Sequence, residues 1–292
     1  MSTRGNDSLR VKPQRFLMKI RAGYEISYEC LQPTPMILTL SVHPSRVPDL
    51  ITPDRLRIDP AMPTNAYRDG FGNTCHVIHA PAGRLALSSD FTIRDSGGHD
   101  VVAPGAEQYS LEKLPVETLV YLLGSRYCET DRFTQIAWST FGKIPKGWPL
   151  VQAICDFVHD RIKFGYEHAS PTKTAWDAYT ERRGVCRDFA HLAITLCRCM
   201  NVPARYCTGY LGDIGVPPDD TPMDFSAWFE VCLGGRWYTF DARHNIPRIG
   251  RVLMARGRDA TDVAILTSFG PCTLAGFKVI TDEVTTAVPA AT

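Results

Sequence analysis

The residues best able to do chemistry fall in one run, Gly184-Val185-Cys186-Arg187-Asp188-Phe189-Ala190-His191. It leads into Phe189 to Met200, a stretch apolar almost all round that reads as a helix buried on most sides. A cysteine in the first turn of such a helix meets unpaired backbone N–H groups and the positive end of the helix dipole, and both favour thiolate over thiol. Arg182, Arg183 and Arg187 add positive charge, so the spacing predicts a Cys186 thiol lowered into a working range. The same N–H groups could stabilise the oxyanion formed when the sulfur attacks a carbonyl, and Gly184 allows close approach of a substrate backbone. The competing reading makes Cys186 one more buried apolar cysteine among the ten in the chain.

The elements that must hold this run are of two kinds. Ala22 to Cys30, Met36 to Val42, Cys75 to His79 and Leu85 to Ile93 read as short strands, set off by Gly, Pro and Asn turns such as Asp69-Gly70-Phe71-Gly72-Asn73. They predict an N-terminal antiparallel β-sandwich over residues 15–105, closed by a loop at Asp95 to Pro104. From about Leu111 the periodicity becomes helical. Leu114 to Gly124 and Thr174 to Glu181 are short helix candidates. Pro149 to Arg161 is a stronger one, with Val151, Ile154, Cys155 and Val158 on one stripe that runs on to Ile162. Ala204 to Tyr210 reads as a strand, and Gly234-Gly235 joins Ala227 to Leu233 and Arg236 to Asp241 in a hairpin. The expected fold class is α+β, with a second domain over 125–280 and a frayed end from Val284 to Thr292.

Composition narrows the function classes. At 292 residues, 44% hydrophobic and 22% charged, the chain can fill about two cores. A net charge of +1 gives no electrostatic case for nucleic acid or an anionic membrane surface. No apolar run approaches the ~20 residues of a membrane span, and Met1 to Arg15 lacks the apolar core of a secretory signal. A cytoplasmic protein with mostly reduced cysteines is expected. There is no CxxC pair for zinc or redox work, and no coiled-coil heptad to argue an oligomer.

Gly184 to Tyr210, GVCRDFAHLAITLCRCMNVPARYCTGY, and Ala227 to Asp241, AWFEVCLGGRWYTFD, together resemble the core of the transglutaminase-like superfamily in its bacterial branch. The similarity runs from about Tyr127 to Phe269. It implies a papain-like core, with a helix carrying the nucleophile packed on an antiparallel sheet that carries a His and an Asp; the first half is similar to the β domain that often precedes it. Residue by residue, the resemblance implies Cys186 as nucleophile and Asp241 as the orienting carboxylate. The family's His falls on Ser226, since this chain reads Ser226-Ala227-Trp228 where the family has His-Ala-Trp. A serine hydroxyl cannot take a thiol proton near neutral pH as an imidazole does.

A replacement base is therefore sought. His244, three residues beyond Asp241, is the first candidate, set against a surface turn histidine. His191 lies about 140° round the helix from Cys186, which suits an interior histidine better. His159 and His168 could arrive only through tertiary folding, and Glu230 and Asp224 are acids more in keeping with solvated or paired charges. Trp176 and Tyr179 could lend an oxyanion donor or simply pack, and Trp228 could wall a substrate channel. Metal readings are poor: His76 and His79 point to opposite faces of a strand. Asp213, Asp219, Asp220 and Asp224 fit a solvated loop rather than a calcium loop. No phosphate loop or other cofactor signal appears. Two functions stay open: a cysteine-dependent acyl transferase or amidase acting on a peptide or protein amide, and a catalytically silent binding module.

Overall fold

The structure, a computed structural model, describes residues 18–218 and 223–284. Asp219 and Asp220 of the acidic loop, the segment before Met18 and the end after Val284 lie outside them. In the first half, strands β1 (Met18–Cys30), β2 (Thr34–Leu38), β3 (Arg57–Asp59), β4 (Asn65–Arg68), β5 (Thr74–Ala80) and β6 (Gly83–Asp95) follow one another. Then come helices α1 (Thr130–Phe141) and α2 (Trp148–Arg161), the short strand β7 (Lys163–Phe164), α3 (Ala175–Glu181), β8 (Arg183–Gly184) and α4 (Cys186–Cys199). The chain continues through β9 (Ala204–Tyr210), β10 (Ser226–Leu233), β11 (Arg236–Phe240), β12 (Val252–Gly257), β13 (Leu266–Ser268) and β14 (Cys272–Glu283).

Two four-stranded antiparallel sheets, in the orders β14-β1-β6-β3 and β13-β2-β5-β4, make the sandwich. Alternate residues of β1, from Ile20 through Ala22, Tyr24 and Ile26 to Tyr28, are buried and meet Met36, Leu38 and Ile78 of the other sheet in one core. That is the period-2 pattern read from the sequence. The expected division at 280 needs correction. β14 lies along β1 from Ile20↔Glu283 to Cys30↔Cys272, and β13 pairs with β2, so the chain returns to its first domain to finish it. The physical reason is the edge of β1: thirteen residues of backbone would stand unpaired without a strand of matching length.

The second unit is a sheet in the order β11-β10-β9-β12 with the helices packed on one face. α2 buries Val151, Ile154, Cys155 and Val158 of the expected stripe, together with Leu150. α1 has no counterpart among the elements expected from the sequence, although its buried Phe133, Ala137 and Phe141 recur at helical spacing. The helix expected within Leu114 to Gly124 is a run of 3-10 turns over Val116–Leu122. α4 is central: every residue from Asp188 to Cys199 is buried. Its Arg198 stays inside by donating to the carbonyls of Ala204, Leu123 and Arg258. The β10–β11 hairpin turns at Gly234 and Gly235 with φ of 57° and 74°, the left-handed pair that a two-residue turn requires. Tyr210, Phe225, Val252 and Met254 join the sandwich core, so the two units share apolar packing.

Candidate active site

Cys186 is the first residue of α4 and is half-buried. Its position is set by a turn built for it. The Asp188 carboxylate reaches back to accept the Val185 N–H at 2.9 Å, capping the helix start. Gly184 is required beside that carboxylate, since a Cβ there would lie 2.6 Å from Asp188 Oδ2. The parallel pairing of Phe164 with Gly184 then fixes the approach to the helix.

The charge expected around the sulfur comes from elsewhere. Arg183 pairs loosely with Glu181, Arg187 donates to the Ser170 carbonyl and to Asp188, and Arg182 is exposed. The cation that acts on Cys186 is Arg243, just beyond β11. The expectation of a lowered thiol is corrected too. Protein packed round the sulfur pushes the thiol up to about 11; Arg243 pulls down, Asp224 pushes further up, and the Ala227 N–H favours the thiolate. A rise of that size from 9.0 corresponds to about 3 kcal/mol, more than the ~0.3–2 kcal/mol a helix end supplies. On this balance desolvation outweighs the helix end and favours the thiol over the thiolate.

Asp241 follows directly on β11, the strand next to the one that starts at Ser226, and it acts electrostatically on Cys186. Its Oδ1 accepts the backbone N–H groups of Arg243 and His244 at 3.0 and 3.1 Å. Its Oδ2 meets His244 Nδ1 and accepts from Arg251 Nη2, both at 2.9 Å. Burial works to raise this carboxyl, but Arg251 and His244 outweigh burial and hold it well below the usual carboxylate range. An ionised carboxylate only accepts, so His244 Nδ1 is the donor in this contact, which leaves Nε2 outside it. Arg251 is itself gripped by Asp100, at 3.0 Å, from the loop after the sandwich. Ser226 is buried opposite Gly209 on β9.

The other candidate histidines make their contacts elsewhere than on the Asp241 carboxylate. His191 is fully buried, accepts the Ala260 N–H at 3.1 Å through Nε2 and stacks on Tyr127 at 5.0 Å. His159 is exposed and bonds the Arg243 carbonyl, while His168 pairs with Glu167. Glu230 is bound to Arg205. Asp224, by contrast, stands among the groups that act on Cys186. The surrounding protein raises its carboxyl, although its exposure to solvent keeps that effect modest.

Trp176 and Tyr179 are engaged with Phe133, with Arg132 and Arg161 lying over their rings at 4.1 and 3.5 Å. That aromatic cluster, rather than the sulfur, is where the structure puts both. Trp228 shares a small cluster with Cys207 and Leu253 on the sheet face opposite Ala227. It lines a polar groove of about 330 Å³ with Arg46, His99, Glu230, Arg251 and Arg256. A second cavity of about 200 Å³ reaches Asp241 past Trp148, Cys155 and Asn245.

Sequence reasoning missed Arg243, Arg251, Tyr166 and Tyr206. Both tyrosines are influenced by Cys186, and burial raises each hydroxyl. The position of Arg243 between Asp241 and His244 was the one signal available, and no periodicity pointed to the others.

Residues 140–242 match the family model of the transglutaminase-like superfamily, a span that includes Cys186, Ser226 and Asp241. Uncharacterised proteins of Mycobacterium tuberculosis and Mycobacterium bovis are each 30% identical over 239 residues, 72% of this chain and 73% of theirs. One of Mycobacterium leprae is 36% identical over 97 residues, 31% of this chain and only 33% of that protein. A solved structure from Cytophaga hutchinsonii, provisionally named a cysteine protease, superposes with a TM-score of 0.79 at 29% identity, covering 93% of this chain and 92% of its own.

Proposed function

The chain belongs to the transglutaminase-like superfamily, and on that premise we propose that it breaks a peptide or protein amide through a thioester at Cys186. The observation that carries the reading is the His244–Asp241 contact of 2.9 Å, made by an acid that acts electrostatically on Cys186. It supplies the imidazole that Ser226 lacks. As the Cys186 sulfur bonds the amide carbon, His244 Nε2 takes the thiol proton and passes it to the departing amine when the C–N bond breaks. Water or a primary amine then attacks the thioester and frees the sulfur. With the resting thiol raised to about 11, attack depends on proton removal during the step and not on a standing thiolate.

The silent-module reading rests on Ser226 and on that same raised thiol. The two separate in one assay that needs no knowledge of the natural substrate. p-Nitrophenyl acetate should acylate Cys186 in a burst of one equivalent, lost in Cys186→Ala and slowed in His244→Ala. Acylation of Cys186 no faster than of half-buried Cys272 would establish the module instead.

A further inference from the structure

The wall beside the nucleophile is built from Phe164, Tyr166 and Arg243. Phe164 pairs with Gly184, and the Gly165 N–H donates to the Gly184 carbonyl at 3.1 Å, so the ring stands two residues from Cys186 across a backbone ladder. The Arg243 guanidinium lies 3.7 Å from the centroid of that ring, and Tyr166 closes on the ring at 5.1 Å. At its other end Arg243 is tied through its backbone N–H to Asp241. The cation is thus held in place by stacking on Phe164 and by a hydrogen bond to the Tyr166 hydroxyl rather than by a counter-ion. Neighbouring arginines differ: Arg187 ends on Asp188, Arg205 on Glu230, and Arg251 on Asp100 and Asp241. Among the described residues none of the ion pairs engages Arg243; Asp224 is the acid that faces it, beyond contact distance.

A half-buried guanidinium, fixed next to a nucleophile and without a carboxylate of its own, is a ready fork for one. We infer that Arg243 is a specificity residue which binds a free carboxylate on the substrate close to the carbonyl attacked by Cys186. The substrate class is then an acidic amide, in which a carboxylate neighbours the bond to be broken. The inference rests on the acyl-transfer reading for its substrate, but the carboxylate site can be tested without turnover.

Iodoacetate and iodoacetamide are nearly isosteric reagents, one anionic and one neutral, and both report the same thiolate fraction. Their ratio of rates at Cys186, read on the peptide by mass spectrometry, therefore isolates the pull on a carboxylate. The ratio should fall about tenfold in Arg243→Gln, equivalent to about 1.4 kcal/mol, and fall by less in Arg243→Lys, which keeps the charge but loses the fork and its stacking. The iodoacetamide rate in each variant controls for a disturbed fold. An equal ratio in wild type and Arg243→Gln overturns the inference even if amidase activity is found, and a lost ratio upholds it even if none is. Where the ratio responds, protection of Cys186 by N-acetylglycylglycine assigns the carboxylate to a chain end, and protection by N-acetylaspartic α-amide assigns it to an acidic side chain.

Discussion

His244 Nδ1 and Asp241 Oδ2 stand 2.9 Å apart, joined by a turn in which the same carboxylate also accepts the His244 backbone N–H. The imidazole is held at two points by one acid, as an orienting carboxylate holds a general base. In the family pattern the partner of that acid comes from the start of the adjacent strand, here Ser226. The base proposed here, His244, pairs with the family's acid from a different place in the chain.

Replacing His244 by Ala should lower acylation of Cys186 by 10²-fold or more, the usual range for a lost general base. Ser226→His in that background should recover part of the loss, because it offers an imidazole from the family's position. Undiminished acylation in His244→Ala would remove His244 from the mechanism. No recovery in the double variant would mean that Arg251 has closed Asp241 to a second partner.

Alkylation of Cys186 by iodoacetamide should rise with pH through a midpoint well above the ~8.5 of a free thiol, toward about 11. Burial disfavours the charged sulfur, so the proton is retained as pH increases. A midpoint below ~8.5 would show that the helix end and Arg243 outweigh desolvation after all.

Gly184→Ala should destabilise the fold by about 1–3 kcal/mol and alter Cys186 reactivity with it. The new methyl would lie 2.6 Å from Asp188 Oδ2 and 2.7 Å from its Cβ, and the carboxylate that caps α4 would have to move. Thermal unfolding and the alkylation rate measure the two effects separately. A variant with unchanged melting and unchanged rate would contradict the packing described.

Burial holds the His191 imidazole down to about 3, against 6.5 for a free one, with Asp259 opposing. Between those values the unfolded chain binds a proton that the native state refuses, so stability falls as pH drops from about 6.5, by up to about 1.4 kcal/mol per pH unit. Asp259, whose carboxyl lies below the usual range, loses its contribution only at lower pH still. Urea unfolding at about pH 7 and about pH 5 tests the sign. Equal stability at both would show that His191 accepts its proton in the fold.

A fragment of residues 18–105 should fail to fold alone, because β13 and β14 complete its two sheets from the far end of the chain. Circular dichroism of the fragment, with and without a peptide spanning 264–284, checks this. A cooperative transition in the fragment by itself would restore the simpler division between the two halves.

Local pattern carried much of this protein into view. The alternation of β1, the stripe of α2, the start of α4 at Cys186 and the Gly234-Gly235 turn depend on neighbours in sequence, so they could be read as sequence. The resemblance in the GVC run and in Ala227 to Asp241 likewise lay in contiguous residues. What remained hidden arose from contacts between distant ones. α1, by contrast, does carry a helical period in Phe133, Ala137 and Phe141 and is absent from the elements expected, whereas β14 is recruited only because β1 leaves an edge to be paired. The source of positive charge at Cys186 was misplaced because Arg182, Arg183 and Arg187 are near it along the chain, whereas Arg243 is near it in space. The protonation of the sulfur followed the same logic: a helix start predicts a thiolate, but desolvation depends on everything packed round the atom, and only the tertiary structure decided that.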